Sequence, residues 1–384
     1  MRIAFDAKRA FHNGTGLGHY SRTLIQSLAS FYPSNDYLLL NPTPSNTFKL
    51  EGANLTEVLP SSWLNKKFSS HWRSSGCLAD LKKHKVELYH GLSHEIPYGI
   101  HKKGIPSVVT MHDLIFERYP NQYKWVDRQI YHKKFKYACG KADQIIAISQ
   151  QTKKDLSSIY GIPAEKISVC YQSCNPTFLQ KVDAIEKERI RIKYNLPSSF
   201  YLSVGSIIER KNLLAICEAL LHLNNDERLP LVIIGNGGAY KKKVEAFIAK
   251  KNLQQSVLFL SDNPSINSDC GFTTAIDFPA IYQLATALIY PSTFEGFGIP
   301  VLEGLSSGIP VITSNISSLP EAGGPGAFYV DPYQPEQIAK QLQFILHHPE
   351  EVNNKIQMGT QYANSFTIDK TATAVMNIYN KLIG

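Results

Sequence analysis

Two glutamates, Glu295 and Glu303, bracket a glycine-rich turn inside the stretch ALIYPSTFEGFGIPVLEGLSSGIPVITSN, residues 287–315. Pro300 stands where a starting helix tolerates a missing N–H, and Gly308 stands where a helix stops. The turn therefore directs the backbone N–H groups of Gly296, Phe297, Gly298 and Ile299, and the positive end of a helix dipole, toward one point. Such a point suits an anion. A carboxylate beside a phosphate repels it, so the glutamates more reasonably reach past it to neutral hydroxyl pairs, which they accept in bidentate fashion. A phosphate with sugar hydroxyls on either side describes a nucleotide-sugar. The alternative is that Glu303 only complements the dipole and Glu295 is a solvated loop residue.

Two cations repeat the theme earlier in the chain. Arg210 and Lys211 follow the strand-terminal Gly205 and precede a helix starting near Asn212, so two charges and a helix terminus converge as a diphosphate clamp would require. An adjacent cation pair is otherwise a solvated surface feature. His112, in VVTMHDLIFERYP, falls at the carboxyl end of a buried strand, where parallel sheets place ligand sites; a lone histidine is otherwise structural. Near the start, NGTGLGHYSRTL carries Gly14, Gly16 and Gly18 between a strand and a helix, which permits close approach of a ligand. A dinucleotide-binding reading would need an acidic residue ending the next strand. Asp36 precedes that strand instead.

The elements that position these residues alternate between buried runs and amphipathic stretches. Strands are expected at residues 1–7, 37–40, 88–90, 107–110 and 145–148, with Ser149 capping a helix, and then at 200–205, 231–235, 257–260, 287–290 and 310–313. A helix follows the first glycine loop with Leu24, Ile25 and Leu28 on one face. Residues 171–197 weaken into a charged, proline-bracketed linker. The last helix, 369–383, sets Val375, Ile378, Tyr379 and Leu382 on one face. This is an α/β chain whose 384 residues suit two domains.

A net charge of +8 and a pI near 9.0 point to anionic partners without choosing among them. No basic aromatic groove supports nucleic acid. The opening residues hold too short an apolar run for a signal peptide, and no segment reaches a membrane-spanning length, so a cytoplasmic location is expected. Cys77, Cys139, Cys170, Cys174, Cys217 and Cys270 are scattered without a metal-binding or disulfide pattern and read as reduced thiols. Residues 61–76 and 123–143 mix Trp63, Leu64, Phe68 and Trp72, and a second aromatic set, with Lys and Arg. They read either as surface helices packed on the sheet or as a face for an anionic membrane.

The segment from Glu295 through SSLPE resembles the donor-site signature of family 4 retaining glycosyltransferases, whose E-x7-E pair falls on Glu295 and Glu303. Gly304-Leu305-Ser306 departs from the family's usual Ala-Met-Ala. Further segments that resemble the family are the glycine loop, HDL at His112, ADQIIAIS, RKNL at Arg210 and Lys211, and GNGG beginning at Gly235. The resemblance implies a GT-B fold of two Rossmann-like domains facing a deep cleft. The N-terminal acceptor domain would cover 1–180 and the donor domain 181–365, with a helix at 366–384 crossing back to the first.

It further implies that Arg210 and Lys211 neutralise the leaving diphosphate, Glu295 positions the sugar, Glu303 holds the ribose and His112 approaches the donor sugar. Gly16 and Gly18 would face the donor phosphates, and Gly235 belongs to the nucleotide-domain glycine element. Asp262 and Asn263, after the strand at 257–260, are base contacts by the same analogy. No cofactor and no metal are expected; the nucleotide-sugar is a substrate. The pattern is most like the mannosyltransferase branch, with GDP-mannose ahead of another GDP- or UDP-sugar and a saccharide or lipid-linked saccharide as acceptor. Rival readings are a UDP-N-acetylglucosamine 2-epimerase of the same fold and a noncatalytic nucleotide-sugar binder.

Overall fold

The computed structural model describes residues 1–45 and 47–384. The chain divides into two compact units, one formed by Met1–Ser173 with Ile368–Gly384 and the other by Cys174–Thr367. Each is built on an all-parallel sheet covered by helices.

In the first unit the strands are β1 (Arg2–Asp6), β2 (Asp36–Leu40), β3 (Leu55–Val58), β4 (Leu88–Gly91), β5 (Ser107–Met111), β6 (Gln144–Ala147) and β7 (Ile167–Val169), in the order β3-β2-β1-β4-β5-β6-β7. Side chains alternate between the two faces along each strand, and both faces are buried, which is why the strands read as continuous apolar runs. Ile3, Phe5 and Leu39 pack with Leu24, Ile25 and Leu28 of the helix Gly16–Phe31 and with Val375, Ile378 and Tyr379 of the helix Ile368–Ile383. Ala4, Leu38 and Leu40 face the other way, toward Trp72, Leu81, Phe135 and Leu156. The terminal helix is thus core to the first unit, and its Tyr379 hydroxyl lies 2.5 Å from Nδ1 of the buried His90.

In the second unit β8 (Tyr201–Val204), β9 (Leu231–Ile234), β10 (Val257–Phe259), β11 (Ala287–Tyr290), β12 (Val311–Ser314) and β13 (Phe328–Val330) run β10-β9-β8-β11-β12-β13. In both sheets the strand order reverses once, between β1 and β4 in the first and between β8 and β11 in the second. Connections leave such a pair of neighbouring strands in opposite directions, opening a crevice at their carboxyl ends.

The stretch 61–76 is not one helix with its aromatics on one face. The helix Trp63–Lys67 ends at Phe68, whose backbone leaves helical space, and Trp72–Gly76 is a π-helical segment. Trp72 is fully buried and donates its indole N–H to Asp80 at 2.6 Å, and Arg73 turns inward to Asp6 and Glu95. Trp63, Leu64 and Phe68 stay exposed, as do Trp125, Val126 and Ile130 around the start of the helix Trp125–Lys141. Five cysteines are buried and free; Cys270 is exposed. Among the described residues no helix is long and apolar enough to cross a membrane.

Candidate functional site

At the crevice of the second sheet, β8 gives way to Gly205 (φ 130°), and Gly235 comes so close after β9 that a Cβ there would lie 1.9 Å from the Gly205 carbonyl oxygen. The chain then makes a 3-10 turn, Glu209–Lys211, ended by Asn212 in the left-handed region (φ 59°) and followed by the helix Leu213–Leu220. Asn212 tolerates that conformation and uses its side-chain amide to fasten the turn, donating to the carbonyls of Pro332 at 2.6 Å and Pro291 at 3.3 Å. The loop after β11 binds the same turn, with Thr293 N–H donating to Arg210 O at 2.8 Å and Arg210 Nη1 donating to Phe294 O at 2.5 Å.

These contacts bring Arg210, Lys211 and Glu295 together. Arg210 Nη1 lies 2.7 Å from Glu295 Oε2, and Lys211 Nζ lies 2.6 Å from Oε1. Tyr290, the last residue of β11, donates its hydroxyl to Glu295 Oε1 at 3.1 Å and also bonds Lys211 Nζ. All are largely buried. Burial works against the Glu295 carboxylate, but the charges of Lys211 and Arg210 outweigh it and hold the group down at about 2. Burial lowers the Lys211 ammonium below its ordinary value despite the pull of Glu295. The three groups carry a net positive charge, at a place where a single carboxylate already fixes both cations.

The turn Gly296, Phe297, Gly298 is shaped from behind. Ser317 Oγ donates to Glu295 O at 2.9 Å and accepts from Glu295 N–H at 3.1 Å, while the single Ser318 hydroxyl proton is shared between the carbonyls of Phe297 (2.7 Å) and Glu295 (2.9 Å). With those carbonyls engaged by serines, Gly298 (φ 133°) starts the helix Ile299–Ser306, with Pro300 in its first turn and Gly308 (φ 70°) beyond its end.

Glu303 sits in the second turn of this helix, not the first, so it does not serve the helix dipole. It accepts from Tyr282 OH at 2.7 Å, and burial lifts its carboxyl to about 7. Glu295 and Glu303 thus differ sharply in charge state, although both stand on the same loop-helix unit. Asp262 and Asn263 do local work: Asp262 pairs with Lys241, and Asn263 caps the short helix Pro264–Asn267.

In the first unit, Gly16 opens the helix Gly16–Phe31, and Gly18 N–H donates to the Asn13 side chain at 3.2 Å. Tyr20 of that helix meets His112 edge-on, with ring centroids 4.7 Å apart. His112 follows β5; its Nε2 lies 2.9 Å from Leu92 O and its Nδ1 3.1 Å from the Gln172 side-chain amide. These partners assign the proton to Nε2, leaving Nδ1 to accept. Burial, then the neighbouring His94, push its pKa down to about 3, so the ring is neutral. Tyr290, Tyr282 and Gln172 were not singled out by the sequence, because isolated Tyr and Gln residues carry no spacing signal; Asn212, Ser317 and Ser318 lay within quoted motifs without an assigned side-chain role.

A family model described as "Glycosyl transferases group 1" matches residues 185–362, and one described as "Glycosyltransferase Family 4" matches residues 15–178. The chain belongs to the family 4 glycosyltransferases. It is similar to the O-antigen chain mannosyltransferase B of Escherichia coli, at 25% identity over 100% of both chains. It is also similar to the O-antigen chain mannosyltransferase RfbU of Salmonella typhimurium, at 26% identity over 70% of this chain and 68% of that protein. The solved structure of Anabaena HepE in complex with UDP-glucose matches all of both chains with a TM-score of 0.72 at 16% identity, which speaks to fold. This family 4 glycosyltransferase has the GT-B architecture of two Rossmann-like α/β units.

Proposed function

We propose that the protein transfers mannose from GDP-mannose, with retention of anomeric configuration and without a metal ion, to a hydroxyl of a saccharide or lipid-linked saccharide in surface polysaccharide assembly. The observation that carries this reading is the Arg210–Lys211–Glu295 cluster at the β8/β11 crevice: two cations preset by one buried carboxylate. Mannose is favoured because two relatives similar to this chain are named mannosyltransferases. A UDP-hexose is the rival donor.

In this reading the bond between the anomeric carbon and the phosphate oxygen breaks as the acceptor oxygen bonds to the same face of that carbon. The acceptor's proton passes to the departing phosphate. Arg210 and Lys211 stabilise the charge that develops there, an effect worth about 3–4 kcal/mol per donor in comparable sites. Their positive charge takes the part a metal ion would otherwise play. Glu303 accepts the ribose hydroxyls, Glu295 holds the cations as well as the sugar, and His112 contacts the donor sugar as a neutral ring.

A thermal-shift panel of GDP, UDP, ADP and dTDP with their sugars, without added metal, tests the donor site through the stabilisation that binding confers. Selective stabilisation by GDP and GDP-mannose is expected; a folded protein indifferent to all of them overturns the reading. The exposed Trp63, Leu64 and Phe68 beside Lys66 and Lys67, and Trp125, Val126 and Ile130 beside Lys124, support contact with an anionic bilayer carrying the acceptor. Flotation with anionic vesicles at low salt is expected to carry the protein upward, and its absence removes the membrane part of the proposal.

A further inference from the structure

Glu295 has two cations to keep it ionised, and Glu303 has none paired with it among the described residues. The Glu303 side chain takes a single hydrogen bond there, from the Tyr282 hydroxyl to Oε2 at 2.7 Å, and Oε1 takes none. Tyr282 is fully buried, whereas Glu303 keeps part of its surface open. One carboxylate oxygen is therefore held from inside the fold while the other is left for a ligand.

Several contacts fix that phenol in place. Tyr282 stands in the helix Phe278–Leu284, and the ring of Phe178, from the 3-10 turn Pro176–Leu179, meets it edge-on with centroids 5.1 Å apart. The helix is anchored at its start by Asp277, whose Oδ2 lies 2.7 Å from both Lys193 Nζ and Tyr194 OH. Gly271 packs so closely on Asp277 that a Cβ there would lie 2.3 Å from Oδ2. Lys193 and Tyr194 also reach Asp269 Oδ1, at 2.7 and 3.0 Å, so the segment joining β10 to β11 is tied down on both sides of Gly271.

Burial holds the Tyr282 phenol well above its ordinary value, so it stays protonated and able to donate. The Cys174 thiol, the other titratable group beside Glu303 among the described residues, is likewise kept protonated by burial. Burial favours the neutral form of a carboxyl group, and a hydrogen-bond donor favours the charged form. Tyr282 is thus the one side chain here that works toward an ionised Glu303.

We propose that Tyr282 is a positioning residue of the donor site, which orients Glu303 through Oε2 and keeps it available as a carboxylate acceptor for the ribose hydroxyls of the nucleotide. The inference rests on the ribose role given to Glu303 above and adds the group that makes this role possible near neutral pH.

The test is a calorimetric titration of GDP, with UDP in parallel, into the wild type, Tyr282→Phe, Glu303→Gln and the double variant, from about pH 6 to about pH 9. Tyr282→Phe removes the hydroxyl alone and leaves the ring against Phe178. It should move the rise of affinity upward by about one pH unit, as losing a hydrogen bond to a charged group would. At pH 7 binding then weakens about fivefold, the fall in ionised fraction that such a shift gives, and it recovers to within about twofold of the wild type near pH 9. In the Glu303→Gln background the same change should weaken binding less than about twofold, because the group it acts on is gone. A loss equal at every pH, or equal in the two backgrounds, marks a purely structural tyrosine and overturns the proposal, as does a Tyr282→Phe profile identical to that of the wild type. Matching profiles for the wild type and Glu303→Gln remove Glu303 from the ribose, and this inference with it, while the donor site stands. A wild type that binds neither nucleotide sinks the donor site itself.

Discussion

The Glu295 carboxylate lies 2.6 Å from the Lys211 ammonium, and neither group is open to water over more than a fifth of its side chain. Arg210 completes the cluster, so deleting the carboxylate leaves two buried cations facing one another. Glu295→Ala should therefore destabilise the second unit by about 3–5 kcal/mol, the range seen when one partner of a buried ion pair is removed. The carboxyl titrates at about 2 in the folded protein, below its ordinary value of 4.5. Its contribution is complete above the ordinary value and disappears as the pH falls toward 2. Hydrogen exchange of second-unit peptides in the wild type and Glu295→Gln should show a stability gap that narrows with acid. A gap independent of pH would contradict the pairing.

Glu303 has the opposite dependence. Burial raises its carboxyl to about 7, so the folded protein favours the protonated form and loses stability as the pH rises through that value. As a ribose acceptor it must be ionised, and nucleotide binding should strengthen across the same interval. Calorimetric titration of GDP at several pH values should show affinity rising through about pH 7 in the wild type and a flat profile, weaker by about tenfold or more, in Glu303→Gln. Equal profiles in the two proteins would remove Glu303 from the ribose.

The parts of this site legible in the sequence are those that local chemistry dictates. Pro300 and Gly308 mark the helix between β11 and β12, and strand-terminal Gly205 marks the turn that carries Arg210 and Lys211. What stayed hidden depends on contacts distant in sequence. Tyr290 and Tyr282 read as ordinary apolar residues until the fold brings them to Glu295 and Glu303. Trp72 and Arg73 fit a surface pattern by spacing, and only Asp80, Asp6 and Glu95 draw them inward. The edge strands β3, β7 and β13 were not picked out at all, being short and only partly apolar. Gly304 departs from the family's alanine for a steric reason: a Cβ there would lie 2.7 Å from Val311 and 2.9 Å from Leu288.

The first unit should be acid-sensitive. His90, His94 and His112 are all buried, and burial pushes each down to about 3 from an ordinary 6.5. Stability present above the ordinary value is lost as the pH falls, because unfolding lets each ring take up a proton; each contributes about 1.4 kcal/mol per pH unit in that interval. Hydrogen exchange of peptides spanning β4 and β5 should accelerate steeply between neutral pH and about 4.5, and His112→Gln should flatten the slope by about a third. The same neutral ring predicts that the pH-rate profile near neutrality owes nothing to His112.

Gly16 and Gly18 differ in how tightly the backbone around them is packed. A Cβ at Gly18 would lie 1.8 Å from the Asn13 carbonyl oxygen, so the loop before the helix cannot close around any other residue without shifting backbone. A Cβ at Gly16 meets nothing within 4 Å, and its backbone lies outside the left-handed region. Gly18→Ala should therefore lower the melting temperature with nothing bound. Gly16→Ala should leave it unchanged or raise it, since alanine loses less entropy than glycine on entering a helix, about 0.5–1 kcal/mol. If the open space beside Gly16 receives a donor phosphate, Gly16→Ala should also cut sugar transfer while the fold is intact. Full transfer by a stable Gly16→Ala protein would show that the first glycine loop serves the helix alone.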